Sequence, residues 1–340
     1  MPTLYIDGKN REARLGDRRV SIEQFMEDGT VVRAMVPIHA IDRVVLIGRP
    51  RMTFPLLHQL IRQEIPIVFL SSRGRWLATL DSAVHGNALR RIRQYQASQD
   101  ASLSCQIAHA LVVAKIRNMR RHLQRLAASR GQSQSKVQQD AMSQLKSLQT
   151  RVENVDALDE IRGYEGAATA CYFQRIGAFF PPQIPFCGRS RRPPRDSANA
   201  LLSWTYSIVA AEVESAIRLA GLDPAIGFLH ELDYGRPSLV YDLIEPLRAP
   251  FCDALVLHLL NHNLLNEKHF SQNDDDCGVC LLPDAHKIFF SEYERYLERR
   301  FTLPKSGQST TFREVISHMC QVICHVLAGD TREPEFFLAP

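Results

Sequence analysis

The first 85 residues alternate short apolar runs with turn residues, a pattern typical of β-strands. Five runs are predicted as strands, over residues 4–6, 31–36, 44–47, 65–70 and 76–80. Turn signals separate them at Asp7-Gly8, Asp28-Gly29 and Arg73-Gly74. One amphipathic helix is predicted over residues 54–63, where it ends before Pro66. The pattern indicates a β-rich N-terminal domain with one small helix.

Beyond residue 86 the apolar positions follow a helical period. The clearest case is 199–220, because Leu202, Tyr206, Val209, Val213 and Ile217 recur at spacings of four, three, four and four. Further helices are predicted over 104–127, 137–151, 155–180, 241–263, 284–300 and 311–327. The expected fold class is α+β, with a β-rich N-terminal domain at 1–86 and a larger all-α domain at 87–330. Residues 331–340 are expected to form an exposed tail or a docking peptide.

Composition agrees with a globular protein. The chain has 340 residues, of which 45% are hydrophobic and 23% charged, enough for two domains with their own cores. It contains no run of about 18 apolar residues and no apolar leader, so we expect a cytoplasmic protein without a membrane partner. Its eight cysteines are scattered along the chain, and most are expected to be reduced thiols.

Basic residues are clustered although the net charge is only +4. Eight basic residues and one acid occur between residues 89 and 125, and four arginines occur within residues 189–195. A guanidinium can hold a phosphate through two parallel hydrogen bonds, so the clusters together favour nucleic acid. Each arginine alone is equally consistent with a solvated helix face. The candidate contacts are Arg90, Arg91, Arg93, Lys115, Arg117, Arg120, Arg121, Arg189, Arg191, Arg192, Arg236 and Arg248.

The segment 227–248 contains three possible metal ligands. Asp242 and Glu245 are three residues apart, so a helix would place both carboxylates on one face. His230 precedes them across a turn that contains Gly235, Arg236 and Pro237 and can fold the imidazole back over that face. The spacing is consistent with a metal site. It is also consistent with acidic residues that simply stabilise the first turn of a helix.

The same segment resembles a known family through three motifs. These are Gly-Phe-Leu-His at 227–230, Gly-Arg-x-Ser-Leu at 235–239 and Tyr-Asp-Leu-x-Glu-Pro-x-Arg at 241–248. A fourth motif lies upstream, in a helix with Glu165, Gly166, Ala167, Ala168, Tyr172 and Phe173. Together they resemble the CRISPR-associated spacer-acquisition integrases and endonucleases, the first-numbered protein of the Cas series.

The resemblance implies a catalytic set of Glu165, His230, Asp242 and Glu245. Glu165, His230 and Glu245 would bind Mg²⁺ or Mn²⁺, and Asp242 would bridge a second metal or hold a metal-bound water. The reaction would be attack by the 3′-hydroxyl of a captured DNA on a phosphodiester in a CRISPR repeat, as part of prokaryotic antiviral defence. Arg248 would contact the scissile phosphate or pair with one of the neighbouring carboxylates.

The resemblance also implies an assembly. Homodimers, in which the N-terminal domain contributes to dimerisation or DNA contact, would join a small dimeric partner, the second-numbered Cas protein, in a heterohexamer. The nucleic-acid partners would be double-stranded DNA with single-stranded 3′ ends and CRISPR repeat DNA.

Other function classes stay open at this level. A metal-dependent nuclease that hydrolyses branched or single-stranded DNA would use the same residues, with water as the nucleophile. A non-catalytic DNA-binding scaffold would need the arginines without Glu165 or His230. Cys277 and Cys280 form a C-x-x-C, half of a structural zinc site, although no second C-x-x-C follows; a zinc-dependent regulatory protein is therefore a further alternative.

Overall fold

A computed structural model describes residues 2–80, 87–191, 193–272, 278–331 and 333–340. The chain divides into two compact units, Met1–His85 and Gly86–Pro340. The first is rich in β-strands and the second is mainly helical, which confirms the α+β fold class.

The described residues of the first unit form two four-stranded sheets and one α-helix. Sheet one has the order β1-β5-β7-β8, with β8 antiparallel to an otherwise parallel set, and sheet two has the order β4-β3-β2-β6. The elements are β1 (Thr3–Asp7), β2 (Arg11–Gly16), β3 (Arg19–Phe25), β4 (Val31–Pro37), β5 (Arg43–Ile47), β6 (Arg51–Met52), α1 (Phe54–Arg62), β7 (Ile67–Leu70) and β8 (Trp76–Leu80). A shared core includes Ile6, Val20, Val44, Leu56 and Ile67, all at most 1% exposed.

The apolar pattern did not predict β2, β3 or β6. β2 and β3 pair in register from Arg11 opposite Gln24 to Gly16 opposite Arg19, and their sequences are dominated by charged and polar residues. Asp17 and Arg18 turn the chain between them with φ of 41° and 60°, the left-handed backbone that a tight hairpin requires. Backbone pairing with neighbouring strands therefore forms this hairpin where the hydrophobic pattern is weak.

The second unit contains nine α-helices among its described residues. They are α2 (Ala88–Gln99), α3 (Ala101–Ser129), α4 (Lys136–Val152), α5 (Leu158–Ile176), α6 (Ser197–Leu219), α7 (Ser238–Leu247), α8 (Ala254–Asn261), α9 (Pro283–Leu297) and α10 (Phe312–Ala328). A π-helical stretch, Arg248–Asp253, joins α7 to α8 where Pro246 and Pro250 disturb the regular hydrogen bonding. α2 was not predicted as a separate helix.

The second unit was expected to be all-α, but its described residues also form two short antiparallel strand pairs. They are β9 (Phe270–Gln272) with β10 (Val279–Leu281) and β11 (Phe301–Thr302) with β12 (Ser309–Thr310). No helix in the described parts of the chain is long and apolar enough to cross a membrane.

The long helix α3 is the centre of the second unit. Asp100 caps it by accepting from the backbone N–H groups of Ser102 and Leu103, and the helix then runs for 29 residues. Its buried face packs against α4, α5 and α7. It therefore reaches both helices that carry the candidate catalytic glutamates.

The C-terminal residues are packed, contrary to the expectation of an exposed tail. Phe336, Phe337 and Ala339 are buried. Asn118 on α3 donates from Nδ2 to the carbonyl of Phe337 at 2.9 Å and accepts the N–H of Ala339 at 2.9 Å. One side chain thus satisfies two backbone groups of the tail, and the tail completes the core of the second unit.

Candidate active site

The predicted ligands converge in the second unit. Glu165 lies on α5, Asp242 and Glu245 lie on α7, and His230 lies in the loop that precedes α7. They meet beside Lys115 on α3, whose ammonium pairs with both glutamates. Helices far apart in sequence therefore build one cluster of charges.

Asp242 organises the loop that carries His230. It is 0% exposed, and its Oδ2 accepts from the backbone N–H groups of Phe228 and Leu229 at 2.6 and 3.0 Å. Its Oδ1 accepts from the backbone N–H of His230 at 3.0 Å and from His230 Nδ1 at 2.7 Å. These four donors compensate the charge of the buried carboxylate.

The structure corrects the role expected for Asp242. With both oxygens engaged by the loop, Asp242 is not available to bridge a second metal or to hold a metal-bound water. Since an ionised carboxylate only accepts hydrogen bonds, the proton of His230 lies on Nδ1 and the lone pair on Nε2. This carboxylate–imidazole arrangement is the usual way in which proteins orient a histidine toward a metal.

Gly227 is required by the close approach of α7 to the loop. A Cβ at this position would lie 2.7 Å from Asp242 Oδ2, 2.7 Å from the backbone carbonyl carbon of Ser238 and 2.9 Å from the backbone nitrogen of Leu239. Two of these three atoms belong to the helix backbone, which cannot move aside locally. The glycine of the Gly-Phe-Leu-His motif therefore lets the loop reach Asp242.

Glu245 is a buried carboxylate surrounded by cations. Arg248 Nη2 lies 3.1 Å from its Oε1, Lys115 Nζ lies 2.5 Å from its Oε2, and His230 Nε2 lies 3.9 Å from its Oε1. Burial alone would raise the pKa of Glu245, but attraction to Arg248, to Lys115 and to the protonated form of His230 outweighs burial and lowers the pKa to about 2. Glu245 is therefore ionised at neutral pH, and Arg248 has the carboxylate-pairing role that was one of its two expected roles.

Lys115 is buried between the two glutamates. Its side chain is 1% exposed, and its ammonium contacts Glu165 Oε1 and Glu245 Oε2. Glu165 Oε1 also accepts from Thr169 Oγ1, one turn further along α5, at 2.9 Å. The expectation that Lys115 forms part of a DNA-binding surface is therefore corrected: the basic run on α3 has one member that faces inward.

The ligand atoms at this site are of the types that bind a hard divalent ion. Glu165 and Glu245 offer carboxylate oxygens, and His230 offers Nε2, for which the described part of the protein provides only Glu245 at 3.9 Å. Glu245 Oε2 is buried, and the ammonium of Lys115 lies against it. The described residues nevertheless contain no group of three His, Cys, Asp or Glu already spaced for a metal. A cation does occupy the position between the glutamates, and it is the ammonium of Lys115.

Sequence reasoning missed Arg162, which holds the loop from the α5 side. Its Nε donates to the carbonyl of Leu229 at 2.6 Å, and its Nη1 pairs with Glu231 at 3.3 Å and with Asp159 at 2.9 Å. Arg162 is three residues before Glu165 and therefore on the same helix face. That spacing is the signal that would have found it.

A buried hydrogen-bond network behind Arg248 was also missed. Asp253 accepts from Tyr172 at 2.8 Å and from Tyr206 at 2.5 Å, and Tyr172 in turn contacts His122 Nδ1 at 2.8 Å. Burial raises the pKa of Asp253 to about 6 and lowers the pKa of His122 to about 3.

The guanidinium of Arg248 lies 5.0 Å from the centroid of the Tyr206 ring, so the network also supports the partner of Glu245. Tyr206 had been assigned only to the apolar stripe of its helix. A tyrosine on such a stripe has a hydroxyl that needs a partner when buried, and this requirement was the signal available in the sequence.

The remaining predicted DNA contacts are distributed over several surfaces of the second unit. Arg93, Arg117, Arg121 and Arg191 are exposed, and Arg90, Arg91, Arg120, Arg189, Arg236 and Arg248 are partly exposed. Several have internal partners: Arg117 pairs with Glu153 at 3.3 Å, Arg120 donates to Gln149 at 3.0 Å and Arg189 donates to Asn199 at 2.8 Å. Arg192 lies outside the described residues.

A cavity of about 730 Å³ opens beside Glu165. Phe173, Phe186, Arg189 and Arg191 are among the residues that line it. Aromatic rings with adjacent guanidinium groups are suited to unpaired nucleotides.

Cys277, one member of the predicted zinc half-site, lies outside the described residues. Cys280 is a free thiol with partial exposure, and its Sγ lies 3.5 Å from the hydroxyl of Ser271. Zinc binding there stays a prediction.

Solved structures share this fold across nearly the whole chain. A casposase bound to an integration product aligns with a TM-score of 0.84 at 23% identity, covering 99% of this chain and 93% of that one. A Cas1 protein from Thermotoga maritima aligns with a TM-score of 0.79 at 25% identity, covering 100% of both chains. A Cas6-RT-Cas1–Cas2 complex aligns with a TM-score of 0.80 at 23% identity, covering 100% of this chain and 36% of that one. The fold is thus that of the casposase and of the Cas1 proteins.

Sequence comparison identifies the family. The profile of the family described as CRISPR associated protein Cas1 matches residues 4–295. The CRISPR-associated endonuclease Cas1 3 of Thermus thermophilus is 32% identical over 326 residues, which cover 96% of this chain and 94% of the relative. The chain belongs to the Cas1 family, and the resemblance inferred from its motifs is confirmed.

Proposed function

We propose that this protein is a divalent-metal-dependent DNA integrase and endonuclease that inserts captured DNA into a CRISPR repeat array. The observation that carries this proposal is the convergence of Glu165, His230 and Glu245, from three separate segments, around one buried cation position. A purely structural ion pair would not require an imidazole whose tautomer is fixed by a buried carboxylate.

Glu165, Glu245 and Nε2 of His230 would hold Mg²⁺ or Mn²⁺. When bound, the ion would polarise the scissile phosphate and stabilise charge on the attacking and leaving oxygens. Asp242 keeps the proton of His230 on Nδ1, and Arg162 holds the carbonyl of the preceding residue, so the imidazole is oriented before substrate enters.

The proposed reaction exchanges one phosphodiester for another. The 3′-oxygen of the captured DNA forms a bond to phosphorus in the repeat, and the bond from that phosphorus to the 3′-oxygen of the neighbouring nucleotide breaks. The attacking hydroxyl loses a proton and the leaving oxygen gains one, so no nucleotide cofactor is required. Since little bond energy changes, positioning by the protein supplies most of the rate.

The proposed partners follow from the relatives. The solved casposase is bound to an integration product, and another neighbour is a complex that contains Cas2. We infer that this chain binds double-stranded DNA with single-stranded 3′ ends and CRISPR repeat DNA. We also infer that it forms homodimers joined by a small dimeric Cas2 in a heterohexamer. The exposed arginines of α2 and α3 would contribute phosphate contacts, whose strength falls steeply with salt.

A strand-transfer assay tests the proposal. Labelled short duplex DNA with 3′ single-stranded ends is mixed with a supercoiled repeat-containing plasmid and Mn²⁺ or Mg²⁺, with and without the small partner. We expect joined product that falls at least about 100-fold in Glu165→Gln. Glu160→Gln, an exposed site on the same helix, should retain it.

The alternatives have distinct outcomes. Cleavage without joining, even with the partner present, would replace the integrase with a metal-dependent nuclease. Salt-sensitive DNA binding without any metal-dependent chemistry would leave a non-catalytic scaffold. We propose that Glu165 serves the reaction and not DNA binding. Loss of DNA binding in a folded Glu165→Gln protein would contradict this.

A further inference from the structure

Lys115 occupies the position between the two candidate metal-binding glutamates. It lies in the middle of α3, its side chain is 1% exposed, and its ammonium pairs with Glu165 and Glu245 at once. A buried lysine needs such partners, because an unpaired ammonium is costly to remove from water. The family resemblance assigned this residue no role at the metal site.

The charges at this point nearly balance without a divalent ion. Lys115 and Arg248 carry two positive charges, and Glu165, Glu245 and Asp242 carry three negative charges. A divalent ion added to this set would leave an excess of one positive charge within a few ångströms. Burial strengthens the resulting repulsion, since the effective dielectric constant there is lower than in water.

The backbone around Lys115 cannot relieve this conflict. Asn118, one turn further along α3, donates to the carbonyl of Pro246 at 2.8 Å and so ties α3 to the turn of α7 that carries Glu245. The same amide group holds two backbone groups of the C-terminal tail. Only the flexible four-carbon side chain of Lys115 is free to withdraw.

We propose that Lys115 is an internal competitor of the divalent metal, which occupies the cation position in the DNA-free protein and withdraws when metal and a DNA phosphate enter together. The phosphate supplies the negative charge that the extra cation requires, and it offers the displaced ammonium a new partner. Lys115 thereby weakens metal binding without DNA and makes metal binding depend on DNA. This inference rests on the metal site of the proposed function.

Metal binding, measured separately from catalysis, tests the proposal. The Mn²⁺ affinity of the full chain is measured by isothermal titration calorimetry and by the electron paramagnetic resonance signal of free Mn²⁺. The measurement is made without DNA and with a short duplex that has 3′ single-stranded ends. Lys115→Met removes the charge and keeps an unbranched side chain that is one heavy atom shorter. Lys146→Met, on the exposed face of α4, is the matched control.

We expect DNA to tighten Mn²⁺ binding of the native chain at least about ten-fold, and Lys115→Met to bind Mn²⁺ at least about ten-fold more tightly than the native chain without DNA. The additional effect of DNA on Lys115→Met should be less than about three-fold. By linkage, Mn²⁺ should strengthen DNA binding of the native chain more than that of the variant. Lys146→Met should behave as the native chain does.

A merely structural lysine gives the opposite result. If Lys115 only holds α3 to α5 and α7, its replacement would loosen the site, and Mn²⁺ affinity would stay the same or fall; either outcome overturns the proposal. Should Lys115→Met not fold, Lys115→Gln replaces it, because a neutral amide can still donate to both glutamates. The same ten-fold criterion then applies.

One further variant separates this inference from the proposed function. Glu165→Gln is combined with Lys115→Met, and Mn²⁺ binding is measured again. Binding that does not depend on Glu165 would place the metal elsewhere and refute the proposed metal site itself. Binding that depends on Glu165 but is not strengthened by Lys115→Met would refute only the competition.

Discussion

Replacement of Asp242 by asparagine is the sharpest test of how this site is built. Asp242→Asn keeps the size and shape of the side chain but converts one accepting oxygen into an NH₂ donor. If the NH₂ group replaces Oδ2, it faces the N–H groups of Phe228 and Leu229. If it replaces Oδ1, it faces the N–H of His230 and pushes the proton of the imidazole from Nδ1 to Nε2.

The magnitude follows from the number of donors left without an acceptor. With the NH₂ group at the Oδ2 position two of the four hydrogen bonds are lost. With the NH₂ group at the Oδ1 position it can donate to Nδ1 after the tautomer change, so only the backbone N–H of His230 loses its acceptor. Asp242 is 0% exposed, so water cannot replace the lost bonds. A buried donor that loses its partner costs about 1–3 kcal/mol, so the free energy of unfolding should fall by about 1–6 kcal/mol. That is a large share of the total stability of a typical domain.

Urea denaturation followed by circular dichroism, with EDTA present, measures this loss as a lower midpoint with an unchanged slope. Asp233→Asn is the matched control, because the same substitution is then made at an exposed position of the same loop. Mn²⁺ binding should weaken as well, since His230 no longer offers Nε2 reliably. A change of less than about 0.5 kcal/mol in Asp242→Asn, the range of ordinary surface substitutions, would refute the reasoning.

Three further predictions follow from neighbouring contacts. Gly227→Ala should lower the free energy of unfolding by about 1–3 kcal/mol in urea denaturation, because its Cβ would lie 2.7 Å from Asp242 Oδ2. Arg162→Leu should weaken Mn²⁺ binding several-fold in calorimetry, because the carbonyl of Leu229 loses the donor that holds the loop. His122→Gln should make stability less sensitive to acid: burial lowers the folded pKa of His122 from 6.5 to about 3, so the native chain loses about 1 kcal/mol per pH unit as pH falls from 6.5 toward 3.

Controls for these predictions exist in the same chain. Asp159→Asn removes only an exposed partner of Arg162 and should leave Mn²⁺ binding unchanged. His318→Gln replaces an exposed histidine and should keep the native pH dependence of the urea midpoint. Equal pH dependence in His122→Gln and the native chain, or unaltered Mn²⁺ affinity in Arg162→Leu, would count against the corresponding contact.

Local sequence signals determined much of the secondary structure. The spacing of apolar residues over 199–220 predicted a helix that the structure gives as α6, Ser197–Leu219. The helical period is a property of the segment itself, so it can be recognised without knowledge of the rest of the chain. The α+β fold class and the family could likewise be inferred from residues alone.

The paired strands β2 and β3 show where local signals fail. Charged and polar residues interrupt the apolar residues of both strands, and the pairing depends on neighbours that the sequence does not identify. The prediction of an exposed C-terminal tail was wrong for a related reason. The tail is held by Asn118 on α3, more than 200 residues earlier in the chain. Burial of a segment depends on its partners as well as on its own hydrophobicity.

The sequence determined which residues belong to the site, and the tertiary structure decided what each one does. Spacing and motifs brought Glu165, His230, Asp242 and Glu245 into one hypothesis. Only the fold showed Asp242 as the acceptor that orients His230 and Lys115 as a cation between the glutamates, 50 residues from one of them. The sequence alone does not distinguish a charged residue that faces solvent from one that faces the interior. The partners of a buried charged residue come from helices that only folding brings together.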